Sequence, residues 1–463
     1  MDIPRIVIAG THSGVGKTTI SVGLMGAFRQ KGFTVQGFKA GPDFIDPGYH
    51  TVVTGRISRN LDTWMVDPNV NLELFQKGAT GADISVIEGV MGLYDGVSAS
   101  DERGSTAHLS KVLASPVVLV VNAESLARSA AAIVLGYMHF DPDVRIAGVI
   151  LNRVAGPRHY EMVRDAIESK CRIPVVGWLK RDQELEMPER HLGLVPAGER
   201  GDLSDLFKKL AARIAEGIDL QELIRIAKSA PKLQPVEFPP TLSPIPIGAR
   251  ANPVRIAIAR DEAFSFYYQD NLDMLCSRGA ELVEFSPLRD PGLPCDVAGI
   301  YIGGGFPEVF AASLAANEHM KECIRAADRQ GIPIYAECGG LMYLSQAIID
   351  LEGRSYPMVG LLPVKVKMQK RLAALGYVEV IAREDNILMN AGERARGHEF
   401  HYSDLIKVDV DPRIHRAYIF QGKKEGREEG FARDNLLTAY THLHFASNPR
   451  LVDNFLKRCN QKA

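Results

Sequence analysis

Two doubly wound α/β domains are the fold that this 463-residue sequence predicts. Its apolar runs, such as residues 117–121, are continuous rather than alternating, which is typical of strands covered on both faces. Helical patterns separate successive runs, and this rhythm indicates mostly parallel sheets. Seven prolines crowd into residues 229–253, so the sequence divides into a domain at 1–228, a stiff linker at 229–253 and a domain at 254–463.

The first domain opens with a strand, a turn and a helix. Residues 5–9 are apolar, and Ile20, Leu24 and Phe28 then recur at helical spacing before Gly32, which is placed to end the helix. Five further apolar runs of strand length follow. They are residues 35–38, 84–87, 117–121, 146–151 and 175–179. Because ligands of such sheets bind beyond the carboxyl ends of the strands, we expect the functional residues there.

The second domain starts a new α/β pattern at residue 254. Its strand-like runs are residues 254–259, 299–302 and 334–336. From about residue 358 the apolar residues alternate more often, which predicts added antiparallel strands.

Composition and charge argue against several classes of function. A net charge of −2 speaks against bulk binding to nucleic acid or to an anionic membrane. No run of eighteen apolar residues occurs, so no membrane span is expected. The six cysteines form no C-x-x-C pair, which leaves zinc and redox motifs unsupported; without a signal-peptide pattern, we expect a cytoplasmic protein.

A glycine-rich turn at residues 11–19 follows the first strand and predicts a phosphate cradle. Backbone N–H groups and the helix dipole favour a bound anion, Lys17 would reach the terminal phosphates of ATP, and Thr18 would ligate Mg²⁺. Thr11 stands where the usual motif has its first glycine, so a glycine-rich turn with an unrelated lysine is the alternative. The predicted nucleotide-binding residues of this turn are Thr11, Gly14, Gly16, Lys17, Thr18 and Thr19.

Two aspartates follow the second strand. Asp43 and Asp46 lie near Lys39 in the sequence, and hard cations such as Mg²⁺ prefer carboxylate oxygens. We expect Asp46 to ligate Mg²⁺ and Asp43 to act on a carboxylate substrate. The alternative is a Pro-Asp turn with solvated carboxylates.

Three more polar residues lie at or beyond later strand ends. Glu88 stands where a P-loop enzyme keeps its second Mg²⁺-organising carboxylate, and Asp95 on the same loop is expected to contact substrate, unless it only forms an Asp-Gly turn. Asn152 is expected to read the adenine edge, with a simple cap as the alternative.

Cys338 lies between a strand-like run and a helical pattern, in a sequence rich in glycine. Such an elbow exposes the side chain, and a helix N-terminus favours the thiolate. A thiolate nucleophile needs a base, and His442 and His444 are the candidates. The amides of Gly304 and Gly305 are expected to form an oxyanion hole. A buried structural cysteine is the alternative.

These motifs together resemble a known family. The first half resembles the dethiobiotin-synthetase-like P-loop enzymes, whose loop has the form G-T-x-x-x-x-G-K-T, and the second half resembles class I glutamine amidotransferases of the cobyric acid synthase subgroup. The order of the halves, with the motifs at residues 39–43, 88–92 and 336–340, resembles the cobyrinate a,c-diamide synthase family.

The resemblance implies an ATP-driven, glutamine-dependent ligase of cobalamin biosynthesis. Cys338 would attack the glutamine amide with His442 as its activating base, and the released ammonia would pass to the first domain. There ATP would phosphorylate the a and c carboxylates of cobyrinate, and ammonia would displace the phosphate. The residues that would arrange ATP and Mg²⁺ are Lys17, Thr18, Asp46 and Glu88.

The resemblance leaves several alternatives open. The macrocycle could be hydrogenobyrinate or Ni-sirohydrochlorin, and a homodimer is compatible with the family. A P-loop ATPase switch would leave the Cys338 domain without a purpose, and a regulatory binding protein would not need both Cys338 and His442. His444 stands where many amidotransferases have glutamate, so the group that orients His442 is open.

Overall fold

A computed structural model describes residues 1–182, 189–190, 193–194, 203–234, 253–409, 411–422 and 426–461. The chain forms two compact units, Met1–Glu237 and Phe238–Ala463. Most of the predicted linker, residues 235–252, lies outside the described residues, so the linker and the domain limits stay predictions.

The first unit contains a seven-stranded parallel sheet with the strand order β3-β2-β4-β1-β5-β6-β7. Two strands of two residues each, β8 and β9, pair antiparallel outside this sheet. The strands are β1 (Arg5–Gly10), β2 (Val35–Ala40), β3 (Arg59–Leu61), β4 (Ile84–Glu88), β5 (Val117–Asn122), β6 (Ile146–Val154), β7 (Val175–Lys180), β8 (Glu189–Arg190) and β9 (Gly193–Leu194).

Among the described residues of this unit, six helices connect the strands of the sheet, as the α/β rhythm predicts, and two more follow β7. They are α1 (Lys17–Gln30), α2 (Asp46–Thr54), α3 (Pro68–Ala79), α4 (Thr106–Val112), α5 (Ser129–Phe140), α6 (Pro157–Cys171), α7 (Ser204–Gly217) and α8 (Leu220–Lys228). The central strands are buried along their length because helices cover both faces of the sheet. Ile20, Leu24 and Phe28 of α1 are fully buried in this core, and Gly32 follows the helix with a left-handed φ of 88°.

The second unit is built on a six-stranded sheet with the order β11-β10-β12-β13-β23-β22, parallel except for the last pair. In this order β22 is Phe431–Arg433 and β23 is Leu436–Ala439. Its strands up to residue 357 are β10 (Val254–Ala259), β11 (Ala280–Phe285), β12 (Gly299–Ile302), β13 (Ile334–Glu337), β14 (Ala347–Ile349) and β15 (Ser355–Pro357). The helices are α9 (Gln269–Ser277), α10 (Ala311–Ala316), α11 (Glu318–Arg329), α12 (Gly339–Leu344) and α13 (Arg450–Asn460), with a 3₁₀ turn at Phe445–Ser447.

The later strands confirm the predicted antiparallel addition. β17 pairs antiparallel with β18 and β20, and β16 pairs antiparallel with β19. These strands are β16 (Val364–Met368), β17 (Ala374–Ala382), β18 (Arg394–His401), β19 (Ser403–Lys407), β20 (Tyr418–Gln421), β21 (Glu428–Glu429), β22 (Phe431–Arg433), β23 (Leu436–Ala439) and β24 (His442–Leu443). The two-domain α/β class is confirmed. Among the described residues, the helices are too short or too polar to cross a membrane.

Candidate active sites

The predicted phosphate loop joins β1 to α1. Gly16 precedes the helix with a φ of 99°, a left-handed conformation that favours glycine. A Cβ atom at Gly16 would lie 2.3 Å from Nδ2 of Asn152, and that Nδ2 donates to Val15 O at 2.8 Å. The first N–H groups of α1 have no acceptor within the helix, so they are available to an anion.

Asn152 therefore braces the phosphate loop, a contact that the sequence did not predict. Its Oδ1 accepts from Arg153 N at 2.9 Å, so both ends of the amide are engaged by the protein. A cavity beside the loop is lined by Asn152 and by residues of α1, β7 and α7, among them Thr19, Leu179 and Ile214. The role of Asn152 toward adenine stays a prediction.

The remaining loop residues are placed by backbone contacts. Thr11 N donates to Val120 O at 3.2 Å, Thr11 O accepts from the hydroxyl of Tyr137, and Gly14 is exposed. Lys17 Nζ donates to Met91 O at 2.6 Å. Burial, and next the charge of Lys39, lower the pKa of Lys17 to about 8.

Thr18, Asp46 and Glu88 converge at the carboxyl end of the sheet. Thr18 Oγ1 donates to Glu88 Oε1 at 2.6 Å and lies 3.4 Å from Asp46 Oδ2. Lys39 Nζ lies 2.5 Å from Asp46 Oδ2 and 2.9 Å from Glu88 Oε1. All four side chains lie in or at the edge of the core, so the ammonium of Lys39 neutralises charge that burial would otherwise disfavour.

These oxygen donors fit a magnesium site. A hydroxyl and two carboxylates, completed by phosphate oxygens and water, are the ligands that Mg²⁺ prefers. Burial disfavours the charge of Glu88, but Lys39, His50 and Thr18 outweigh it and lower the pKa of Glu88. Among the described residues no cluster of three His, Cys, Asp or Glu side chains forms a metal site. Thr18, Asp46 and Glu88 could hold Mg²⁺ only together with the nucleotide.

His50 is a further residue of this cluster that sequence reasoning missed. Its Nε2 lies 2.7 Å from Glu88 Oε2, and its Nδ1 lies 3.3 Å from Ser58 Oγ. The imidazole is fully buried. His50 comes four residues after Asp46 on α2, and this i,i+4 spacing, which places both on one helix face, is the signal that could have found it.

Asp43 and Asp95 both make local turn contacts. Asp43 Oδ1 accepts from Ile45 N at 2.8 Å and Asp46 N at 3.0 Å, and Asp95 Oδ2 accepts from Gly92 N at 2.8 Å. The contacts of Asp43 fit the turn named as its alternative, whereas the contact of Asp95 runs back to Gly92 and is not the Asp-Gly turn. The charge of Asp95 still acts on Lys17, so its predicted contact with substrate, like the role of Asp43, stays a prediction.

In the second unit, Cys338 lies on the elbow between β13 and α12. Its φ of 47° and ψ of −100° are strained for a residue other than glycine, and Cys338 N donates to Ala439 O at 2.7 Å. A Cβ atom at Gly340 would lie 2.4 Å from Ile302 O, so the elbow packs closely against β12. This is the sharp strand-to-helix turn that the sequence predicts, but the expected exposure of the cysteine is wrong, because only 6% of Cys338 is exposed.

His442 on β24 lies beside Cys338. Burial lowers the pKa of His442, but the thiol group of Cys338 and the carboxylate of Glu337 outweigh it and raise the pKa to about 10. Nδ1 of His442 lies 3.8 Å from Glu337 Oε2. A cysteine that interacts with a buried imidazole is the arrangement expected of a nucleophile and its base, and these catalytic roles stay a prediction.

The structure confirms neither glycine as a donor of the predicted oxyanion hole. For Gly304 the prediction is wrong. The amide of Gly304 donates to Phe266 O at 3.2 Å, whereas an oxyanion donor must be free. A Cβ atom at Gly304 would lie 2.3 Å from Cε1 of His442, so this glycine gives the imidazole room instead. Gly305 N lies near the elbow, 2.9 Å from a Cβ built at Gly339, and stays a predicted donor.

His444 does not take the place of the missing glutamate. Its Nδ1 accepts from Ala446 N at 3.3 Å and caps the 3₁₀ turn. Its ring packs against Tyr268 with 4.9 Å between the centroids, and burial lowers the pKa of His444 to about 4. The buried, neutral imidazole of His444 faces the 3₁₀ turn and therefore has a structural role.

Comparison with known proteins agrees with these two sites. Residues 6–195 match the CobQ/CobB/MinD/ParA nucleotide binding domain, and residues 255–450 match the CobB/CobQ-like glutamine amidotransferase domain. The first matched range contains the phosphate loop, and the second contains the cysteine elbow.

Full-length relatives are similar over nearly the whole chain. The cobyrinate a,c-diamide synthase of Priestia megaterium is 48% identical over 455 residues, which cover 98% of this chain and 97% of the relative. That of Dehalococcoides mccartyi is 50% identical over 463 residues, with 99% and 98% covered. The hydrogenobyrinate a,c-diamide synthase of Streptomyces coelicolor is 43% identical over 486 residues, again with 99% and 98% covered.

Proposed function

The chain belongs to the cobyrinate a,c-diamide synthase family, and from this we propose that it amidates the a and c carboxylates of cobyrinate with ATP and glutamine. It is a glutamine-dependent ligase with a nucleotide-binding domain and a glutamine amidotransferase domain. The observation that carries the proposal is that one chain holds both a phosphate loop with two converging carboxylates and a cysteine elbow beside a histidine.

In the glutaminase reaction, Cys338 and His442 divide the work. The thiolate of Cys338 attacks the side-chain amide carbon of glutamine, and the carbon–nitrogen bond breaks as His442 passes its proton to the leaving nitrogen. Ammonia and a glutamyl thioester result. Water activated by the neutral His442 then hydrolyses the thioester to glutamate and returns the thiol.

In the synthetase reaction, positioning and charge neutralisation supply most of the rate. Lys17 binds the phosphates, and the γ-phosphoryl group of ATP is transferred to a macrocycle carboxylate. Ammonia attacks the carbonyl carbon of the acyl phosphate, and the carbon–oxygen bond breaks. Inorganic phosphate departs, and the former carboxylate is now an amide. Mg²⁺ held by Thr18, Asp46 and Glu88 would neutralise phosphate charge. Asp43 and Asp95 are proposed to contact the substrate carboxylate.

The identity of the macrocycle separates the two candidate functions. The similarity to a hydrogenobyrinate a,c-diamide synthase favours hydrogenobyrinate as the second candidate. Purified enzyme with ATP and glutamine is offered cobyrinate, hydrogenobyrinate and Ni-sirohydrochlorin in parallel, and mass spectrometry follows the products. We expect two amidations of cobyrinate. ATP hydrolysis that no tetrapyrrole stimulates would refute the proposal.

Assembly and location remain part of the proposal. We propose a cytoplasmic enzyme, because its substrates are biosynthetic intermediates and its cysteines form no motif of the secreted classes. A homodimer is compatible with the proposal, and the mass of the purified enzyme in solution measures it.

A further inference from the structure

Glu337 is the last residue of β13 and directly precedes Cys338. Its side chain is almost fully buried, with 1% of the residue exposed. A buried carboxylate is costly unless hydrogen bonds and an opposite charge compensate it. The groups that contact Glu337 therefore indicate the role of this buried charge.

Three donors satisfy this carboxylate from different elements. Oε1 accepts from the hydroxyl of Tyr335 at 2.5 Å and from the backbone N–H of Leu443 at 2.9 Å. Oε2 accepts from the hydroxyl of Tyr301 at 2.9 Å. Burial, and next the charge of Glu337, raise the pKa of Tyr301 and of Tyr335, so both phenols stay protonated and remain donors.

The same carboxylate faces His442. Glu337 Oε2 lies 3.8 Å from His442 Nδ1, which is the separation of an ion pair and too long for a hydrogen bond. The hydrogen bond to Leu443 N also ties Glu337 to β24, the two-residue strand that carries His442. Glu337 thus contacts the backbone of β24 at Leu443 and faces the imidazole of His442.

The turn at Cys338 explains how two consecutive residues reach one imidazole. In a regular strand successive side chains point to opposite faces. Here the chain leaves β13 at Cys338 with its φ of 47°, and both Cys338 and Glu337 act on His442. His442 then lies between a group that gives up a proton and a group that carries a negative charge.

We propose that Glu337 is the positioning residue of His442. It takes the role that glutamate has in many amidotransferases at the position where this chain has His444. Its carboxylate orients the imidazole and stabilises the imidazolium that forms when Cys338 loses its proton. This inference rests on the proposed glutaminase pair of Cys338 and His442. It makes Glu337 the third residue of the glutaminase site, beside Cys338 and His442.

The test measures the reactivity of Cys338 with iodoacetamide against pH, by mass spectrometry of its peptide. Glu337→Gln keeps the size of the side chain and removes the charge. The thiolate–imidazolium pair then loses stability relative to the neutral pair, so Cys338 reacts about 10-fold more slowly at pH 7 and its profile shifts to higher pH. The glutaminase kcat falls about 100-fold, with little change in the KM for glutamine.

Matched controls separate this role from a structural one. Cys276, an exposed cysteine of the same unit, serves as an internal reference whose profile stays unchanged. Asp328→Asn removes a largely buried carboxylate that pairs with Arg433, so it costs stability without altering the profile of Cys338. The other ionisable groups that act on Glu337 or Cys338 are Tyr267, Tyr301, Tyr335, Tyr418 and Tyr440.

Two outcomes overturn the proposal. One is a wild-type pH profile of Cys338 in Glu337→Gln. The other concerns Glu337→Asp, which keeps the charge: it should retain more reactivity at pH 7 than the Gln variant, and an equal loss would show that charge is irrelevant. If Cys338→Ala retained glutamine use, the proposed function itself would fail, and this result is distinct from both.

Discussion

Gly16 and Asn152 lie against each other at the start of α1, and substituting either one tests how the phosphate loop is held. In Gly16→Ala, the added methyl group would lie 2.3 Å from Nδ2 of Asn152, so the amide must move and its hydrogen bond to Val15 O is lost. The φ of 99° adds backbone strain, because a Cβ atom is unfavourable in the left-handed region.

The two costs can be estimated separately. A non-glycine residue in a left-handed conformation costs roughly 1–2 kcal/mol. The lost hydrogen bond contributes about 1 kcal/mol. We therefore expect Gly16→Ala to lower the free energy of unfolding by about 2–3 kcal/mol and Asn152→Ala by about 1 kcal/mol. The double variant should lose only about 2–3 kcal/mol, because the same hydrogen bond cannot be lost twice.

The assay uses tryptophan fluorescence during urea unfolding. The chain has two tryptophans, Trp64 and Trp178, and both lie in the first unit, so the signal reports that unit alone. A two-state transition of the unit is the condition for extracting free energies. Additive losses in the double variant, or no loss in Gly16→Ala, would refute the view that Asn152 braces this loop.

Three further predictions follow from the two sites, and a fourth from Glu429, a buried carboxylate on β21 of the second unit. Cys338→Ala abolishes glutamine-dependent synthesis but leaves ammonium-dependent synthesis, and loss of both would contradict separate sites. Lys17→Ala removes synthesis with either nitrogen donor, as measured by product formation. His50→Ala frees Glu88 and raises the Mg²⁺ concentration for half-maximal synthesis about 10-fold, the low end for a residue that orients a metal ligand. Burial and the charge of Glu399 raise the pKa of Glu429 from 4.5 to about 7, so the folded state holds its proton more tightly. The free energy of unfolding therefore falls as pH rises from 4.5 to 7, by about 3 kcal/mol at most. Glu429→Gln cannot ionise, so it should unfold at a higher temperature than wild type at pH 8 but not at pH 4.5.

Local sequence was enough to predict the two loops and six of the seven strands of the first parallel sheet, but not β3 or β11. Continuous apolar runs, glycines at turns and the order of strand, loop and helix depend on neighbours in the chain, so the phosphate loop and the elbow at Cys338 follow from them. The antiparallel strands after residue 358 also show as alternation in the sequence.

The features that the sequence could not predict depend on hydrogen bonds and strand pairing between residues far apart in the chain. The amide of Gly304 belongs to a glycine-rich run that suggests free donors, but it bonds to Phe266, 38 residues earlier. Asn152 faces Val15 because β6 and β1 flank β5 in the sheet, a strand order that no local pattern contains. Lys39 and Glu88 meet for the same reason, since β2 pairs with β4 in a register that places them opposite each other.

The orientation of His442 shows how such pairing can replace a missing motif residue. In sequence, the position two residues after the histidine holds His444, and nothing nearby offers a carboxylate. In the fold, β23 pairs with β13 so that Glu337 lies opposite Ala439, three residues before His442. The strand that delivers the nucleophile therefore also delivers a carboxylate to the base, from 105 residues earlier in the chain. Because Tyr301 and Tyr335 hold that carboxylate in place, the orienting group can come from the elbow strand instead of the histidine strand.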